Sequence, residues 1–135
     1  MTCLFCAIAR HEEPADLVLE TDSVVAFLDV RPVFKGHVLV VPREHHLTLP
    51  ELPERLLVPV FGAVQRIGAA VVDALDAHGS FMAVNNTVSQ SVAHVHVHVV
   101  PRRRKDGLRG FFWPRTRYAD GEAAACAARL RTALE

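Results

Sequence analysis

The chain has 135 residues, half of them hydrophobic and 22% charged, and its fifteen basic and fifteen acidic residues cancel. That length suits one domain with a real core, taken here as residues 1–135, and the composition excludes an intrinsically disordered chain. Zero net charge, few aromatics and no recognition pattern exclude a dedicated nucleic-acid module, so no nucleic-acid partner is expected.

The N-terminal "MTCLFCAIARHEE" lacks the basic start and sustained apolar core of a secretory signal. Runs such as "HVLVVP" and "LLVPVFGAV" are too short to cross a bilayer, so no membrane partner and a cytoplasmic location are expected. "DLVLETDSVVAFLDV" alternates polar and apolar residues around "TD", predicting a hairpin of two strands. "GHVLVVPR" is a third strand that Pro42 stops. From Pro59 the apolar spacing lengthens: Val60, Val64, Ile67, Val71 and Leu75 predict an amphipathic helix with Pro59 near its first turn, ended by "HGS". "FMAVNN" and "AHVHVHVVP" are two further strands, and a last helix is expected from about Gly121, capped by Asp120. The fold class is α+β: an antiparallel sheet with one long helix.

Three cysteines, an odd number, argue against a disulfide framework. Seven of the fifteen basic residues lie between Arg102 and Arg117, a solvated loop or a surface that meets phosphates.

The stretch "SQSVAHVHVHVVPR" places His94, His96 and His98 on one face of a strand, with Val95, Val97 and Val99 entering the core. Alternate side chains lie roughly 6.5 to 7 Å apart, close enough for neighbouring rings to serve one metal or one phosphoryl group. A zinc hydrolase would need further ligands and a bound water. A nucleophilic enzyme would use one imidazole to attack phosphorus. Ser89, Gln90 and Ser91, just before the strand, offer amide, hydroxyl and N–H donors that suit phosphoryl oxygens better than a metal.

"QSVAHVHVHVVPR" resembles the signature of the histidine triad superfamily, and "VVAFLDVRPVFKGHVLVVPREH" resembles the strands that precede it there. "CLFCAIA" is similar to the opening of bacterial members, so the resemblance covers residues 3–102. It implies a five-stranded antiparallel sheet, paired into a homodimer. It makes His96 the nucleophile, His98 the contact to phosphate or leaving group, and His94 a support for the cluster. Asp29 matches the ribose-binding carboxylate, while Phe27, Val30, Phe5 and Ile8 match the lining of the base pocket. His37 matches a histidine near the substrate; Gln90 and Ser91 match phosphate and leaving-group contacts, as does Asn85, with Asn86 as the alternative. "NNTVSQS" is about two residues shorter than in many relatives, and Ser89 stands where glycine is usual.

The resemblance also gives the weak Cys3/Cys6 pair two partners, His45 and His94, for a closed structural zinc site. His46 is the less favoured neighbour to His45 for that place, and Cys126 a small apolar packing residue. It implies a purine nucleotide hydrolase acting at the α-phosphorus of an AMP phosphoramidate or a dinucleoside polyphosphate. The alternatives are a nucleotidyl transferase, against which the third histidine argues, and a nucleotide-binding regulator. Phe111, Phe112 and Trp113 would cover the substrate or a dimer interface, and the neighbouring arginines would bind further phosphates.

Overall fold

The computed structural model describes residues 3–108 and 115–135. Five antiparallel strands form one sheet: β1 (Leu17–Glu20), β2 (Val24–Leu28), β3 (Val38–Pro42), β4 (Gly79–Ala83) and β5 (Val97–Arg102). Their order across the sheet is β1-β2-β3-β5-β4. Among the described residues three α-helices accompany it: α1 (Leu4–Ala9), α2 (Glu54–Leu75) and α3 (Glu122–Leu134).

Strand alternation divides the core between two faces. Val24, Ala26, Val38, Val40, Val97 and Val99 turn toward α2. Val25, Phe27, Leu39 and Val41 turn the other way and pack with Phe5, Ile8 and Ala9 around α1. The central strands are therefore apolar on both faces, and a six-residue helix, too short to hold itself, is ordered by what it covers. The sequence reading had no helix here.

The β1–β2 hairpin closes through Thr21, whose hydroxyl accepts the N–H groups of Ser23 and Val24. The loop from β2 to β3 is tied by the Asp29 N–H donating to the His37 carbonyl (2.9 Å). Gly36 in that loop has φ +97°, and a Cβ there would lie 2.3 Å from a Leu75 side-chain carbon. Only glycine lets the loop turn tightly enough against α2 to deliver His37.

α2 begins after Pro53, five residues earlier than predicted, so Pro59 lies inside the helix. Leu56 extends the buried stripe of Val60, Val64, Ile67 and Val71 upstream, and that burial outweighs the hydrogen bond lost at Pro59. By length and hydropathy alone α2 could cross a bilayer, contrary to the expectation from its shorter runs; here its apolar stripe covers the sheet. The last helix is capped differently from the prediction. Gly121, in the left-handed region at φ 78°, is its N-cap, and the Glu122 carboxylate accepts the Ala119 N–H. None of its residues is buried, so Cys126 sits half-exposed outside the core.

Candidate active site

The triad segment enters the ladder late. β5 starts at Val97, so His94 and His96 precede it, held by the Val95 N–H donating to the His46 carbonyl (2.8 Å). The predicted alternation survives this: Val95, Val97 and Val99 enter the core under α2, and the histidines take the α1 face.

Each ring has its own hydrogen-bond partner, and the partner fixes the tautomer. His96 Nδ1–H donates to the His94 carbonyl (2.8 Å), which leaves the Nε2 lone pair for the cleft. His94 Nε2–H donates to the Pro42 carbonyl (2.8 Å), which leaves the Nδ1 lone pair facing the N-terminal cysteines. His37 is set from the backbone: the Val33 N–H can only donate, so His37 Nδ1 accepts it (3.1 Å). Its proton then sits on Nε2 and is donated to His98 Nδ1 (2.9 Å), so His98 carries its own proton on Nε2. The three adjacent rings thus present three different functions. Phe5 packs edge-on against His96 with centroids 5.1 Å apart.

Burial, and then the charge His96 and His37 can carry, push His98 down to about 4 despite the opposing Asp29. Burial also lowers His37. Both rings are neutral at physiological pH. The unfolded imidazole titrates near ~6.5, so between that value and about 4 the unfolded chain binds more protons at position 98. Stability therefore falls as pH falls through this window. Denaturant unfolding at pH 7.5 and pH 5 should show the loss, and His98→Gln should shrink it by about 1 kcal/mol after allowing for partial solvent contact. An unchanged difference in the variant would refute this assignment.

Two clefts meet at this row of rings. The larger, about 740 Å³, has Phe5, Ile8, Phe27 and Leu39 as apolar walls, with Ser91, His96 and His98 at one end. Asp29 borders it, and Val30, 88% exposed, forms only the rim. The second, about 440 Å³, lies between His37, His98, Phe81 and Asn85. Asp29, Arg31 and His98 border both. Asp29 Oδ1 accepts the Arg31 N–H (2.9 Å), while Oδ2 lies 3.7 Å from His37 Nε2. Asp29, His37 and His98 are close enough to suggest a metal site. The tautomer argues against one: His37 Nε2 bears the proton that a ligand atom must lack.

The loop before the triad departs from expectation. Gln90 does not border either cleft, because its amide closes the loop: Nε2 donates to the Leu47 carbonyl (2.6 Å) and Oε1 accepts the Thr87 N–H (2.8 Å). Asn86 is likewise engaged, accepting the Leu49 N–H (2.8 Å), which leaves Asn85 as the cleft residue of the pair. Thr87 (φ 71°) and Ser89 (φ 62°) both occupy the left-handed region, a strained choice for a β-branched residue and for the serine in glycine's place.

Part of the basic segment is structural rather than phosphate-facing. Arg102 is bound by Asp106 (2.6 and 3.0 Å) and the Leu108 carbonyl, and Arg103 caps α2 at the Leu75 carbonyl. Phe111, Phe112 and Trp113 lie outside the described residues. Glu13 and Arg31 border the main cleft and were missed in the sequence; Arg31 adjoins Asp29, but nothing local to Glu13 signals a site.

The cysteine cluster assembles as expected. Cys3 Sγ and Cys6 Sγ lie 3.4 and 3.5 Å from His94 Nδ1, and His45 Nδ1 is 3.2 Å from His94 Nδ1 and 3.4 Å from Cys6 Sγ. Tetrahedral zinc with ordinary bond lengths has N···N edges of about 3.3 Å and S···N edges of about 3.6 Å. The four atoms fit that ion. Burial and the neighbouring Cys3 raise the Cys6 thiol, so a cation is what would make it a thiolate. Burial holds His94 at about 4 and hence neutral, as a ligand must be. His46 stands apart, bonded to Glu44 (2.9 Å).

A family model described as the HIT domain matches residues 10–105. The chain belongs to the HIT family. A HIT-like protein of Mycobacterium tuberculosis is 38% identical over 110 residues, covering 80% of this chain and 76% of that one. A protein of Arabidopsis thaliana named adenylylsulfatase is 34% identical over 108 residues, 78% of this chain and 55% of its own length. One of Saccharomyces cerevisiae named adenosine 5′-monophosphoramidase is 34% identical over 107 residues, 78% and 66% of the two chains. Among solved structures, a HIT family member of Bacillus subtilis superposes with a TM-score of 0.88 at 32% identity, covering 98% of this chain and 96% of that one. A zinc-bound histidine triad family protein of Mycobacterium smegmatis gives 0.76 at 34% identity, with 98% of each chain covered.

Proposed function

We propose that this HIT protein is a nucleotide hydrolase that forms a nucleotidyl adduct on His96. One observation carries the reading: of the three triad rings, only His96 has a lone pair free for the cleft. The nucleobase would lie between Phe5, Ile8 and Phe27, with the ribose on Asp29 and the α-phosphate among His96, His98 and Ser91.

In the first step His96 Nε2 attacks phosphorus, and the bond to the leaving group breaks with its electron pair. The ring becomes an imidazolium, and its Nδ1–H bond to the His94 carbonyl strengthens as charge develops. Neutral His98, with its pKa near 4, is a poor proton donor but a good hydrogen-bond donor through Nε2–H. This favours leaving groups that need no proton from the protein. A phosphoramidate protonated on nitrogen departs as a neutral amine, and a sulfate departs as its anion. Water then attacks phosphorus, the P–N bond returns its electrons to Nε2, and the proton from water passes to solvent. The two relatives named for AMP-linked substrates support this class. Intact-protein mass spectrometry after acid quenching with an adenosine 5′-phosphoramidate tests it: a gain of one AMP supports the reading, and unmodified protein without turnover sinks it.

Zinc on Cys3, Cys6, His45 and His94 would be structural, since the four ligands leave no open position. It would supply charge neutralisation for the thiolates and fasten α1 to the triad segment. A homodimer is proposed through β4, the end strand of the sheet among the described residues, and the outer face of α2, where Val58 (81%) and Met82 (43%) are exposed beside Leu57 and Phe61. Sedimentation should give twice the chain mass, and Val58→Asp with Met82→Asp should give one chain mass. A wild-type monomer at tens of micromolar would remove the dimer from this account.

A further inference from the structure

The main cleft runs across the sheet, and its chemistry changes along the way. His96 and His98 belong to the β5 end, Leu39 to β3, Phe27 to β2 with Asp29 just past its end, and Glu13 to the bend between α1 and β1, four residues ahead of Leu17. Three strand spacings, about 14 Å, separate β5 from β1. A nucleoside monophosphate has the same order: phosphate, ribose, base. With its phosphate at the histidines and its ribose at Asp29, the base would extend along the apolar part of the cleft, whose lining includes Glu13. The walls between are apolar, formed by Phe5, Ile8, Phe27 and Ala15. Arg31 also carries charge here, but it borders the second cleft too, which places it at the ribose end. Glu13 is thus the charged group that remains for the base.

We infer that Glu13 is a specificity-determining residue that makes this site favour guanine over adenine. The inference rests on the nucleotide reading above. A carboxylate only accepts hydrogen bonds. Guanine offers two parallel donors on one edge, N1–H and the N2 amine, which match its two oxygens. Adenine offers the N6 amine beside the N1 lone pair, and that lone pair faces the second oxygen unfavourably. Glu13 is exposed and has no hydrogen-bond or ion-pair partner among the described residues, so it is free to turn to the base.

The test is kcat/KM for guanosine and adenosine 5′-phosphoramidates, measured with the wild-type chain, Glu13→Gln and Glu13→Ala. A two-bond carboxylate contact at a wet rim corresponds to about tenfold in favour of guanosine. Both variants should fall to near parity, with the adenosine value held within about twofold. Equal or better use of adenosine by the wild type, or a guanosine preference that survives Glu13→Ala, would overturn the inference. Should neither compound be cleaved, the hydrolase reading fails, and calorimetric binding of GMP and AMP to the same three proteins decides this one by the same ratio. Absence of binding by either nucleotide overturns both.

Discussion

His96→Ala should lower turnover of an adenosine 5′-phosphoramidate by about 10⁴-fold or more and abolish the AMP adduct. The size of the loss follows from the tautomers. His98 cannot stand in, because its nitrogen away from His37 carries the proton. His94 cannot either, because one nitrogen is bound to the Pro42 carbonyl and the other faces the cysteine cluster. No second lone pair of an imidazole faces the cleft. Binding should survive, since Phe5, Phe27 and Asp29 remain, so the affinity for AMP is expected to change by less than about threefold. His98→Ala should behave differently, keeping the adduct and slowing its hydrolysis. Rapid mixing, acid quenching and intact mass determination of the three proteins would show this. Substantial turnover in His96→Ala would mean that water attacks phosphorus directly and that the adduct chemistry is wrong.

Cys6→Ala should abolish zinc binding and lower thermal stability by more than about 10 °C, because metal held a thousandfold above its dissociation constant adds about 4 kcal/mol. Cys6 is buried while Cys3 is half-buried, so Cys6→Ala also leaves a small cavity beside His94. Zinc content by elemental analysis and melting with and without a chelator separate the two effects: the wild type should lose stability with the chelator, and the variant should not. Equal melting of the wild type in both conditions would remove zinc from this site. Damage should concentrate at α1, whose Phe5 and Ile8 wall the cleft, so nucleotide affinity should weaken as well.

Most of the sheet was legible because its signals are local. The alternation of His94, His96 and His98 with buried valines holds even where the segment has not yet joined the ladder. Pro59 was misleading because proline is favoured in a first turn, whereas here the buried stripe runs on upstream through Leu56 and offsets the hydrogen bond that Pro59 costs five residues into the helix. The identity of the cysteine cluster came through a resemblance; two thiols and two histidines up to ninety-one positions apart have no pattern of their own. Gln90 and Arg102 show the opposite limit. Their types suit phosphate, but partners distant in sequence or a turn away claim them: Leu47 for one, Asp106 for the other. Side-chain type was visible in the chain, and competition for that side chain was not.

His94 faces two ways. Its ring turns to the cysteines, and its backbone oxygen holds the His96 ring. Any residue at position 94 supplies that oxygen, so losing the ring need not disturb the tautomer two residues on. On the proposed reading, metal anchoring and nucleophile orientation are therefore separately heritable. A lineage could gain or discard an ion by substitutions at Cys3, Cys6 and His45 and keep the His96 tautomer, with the cost falling on the cleft wall that α1 supplies.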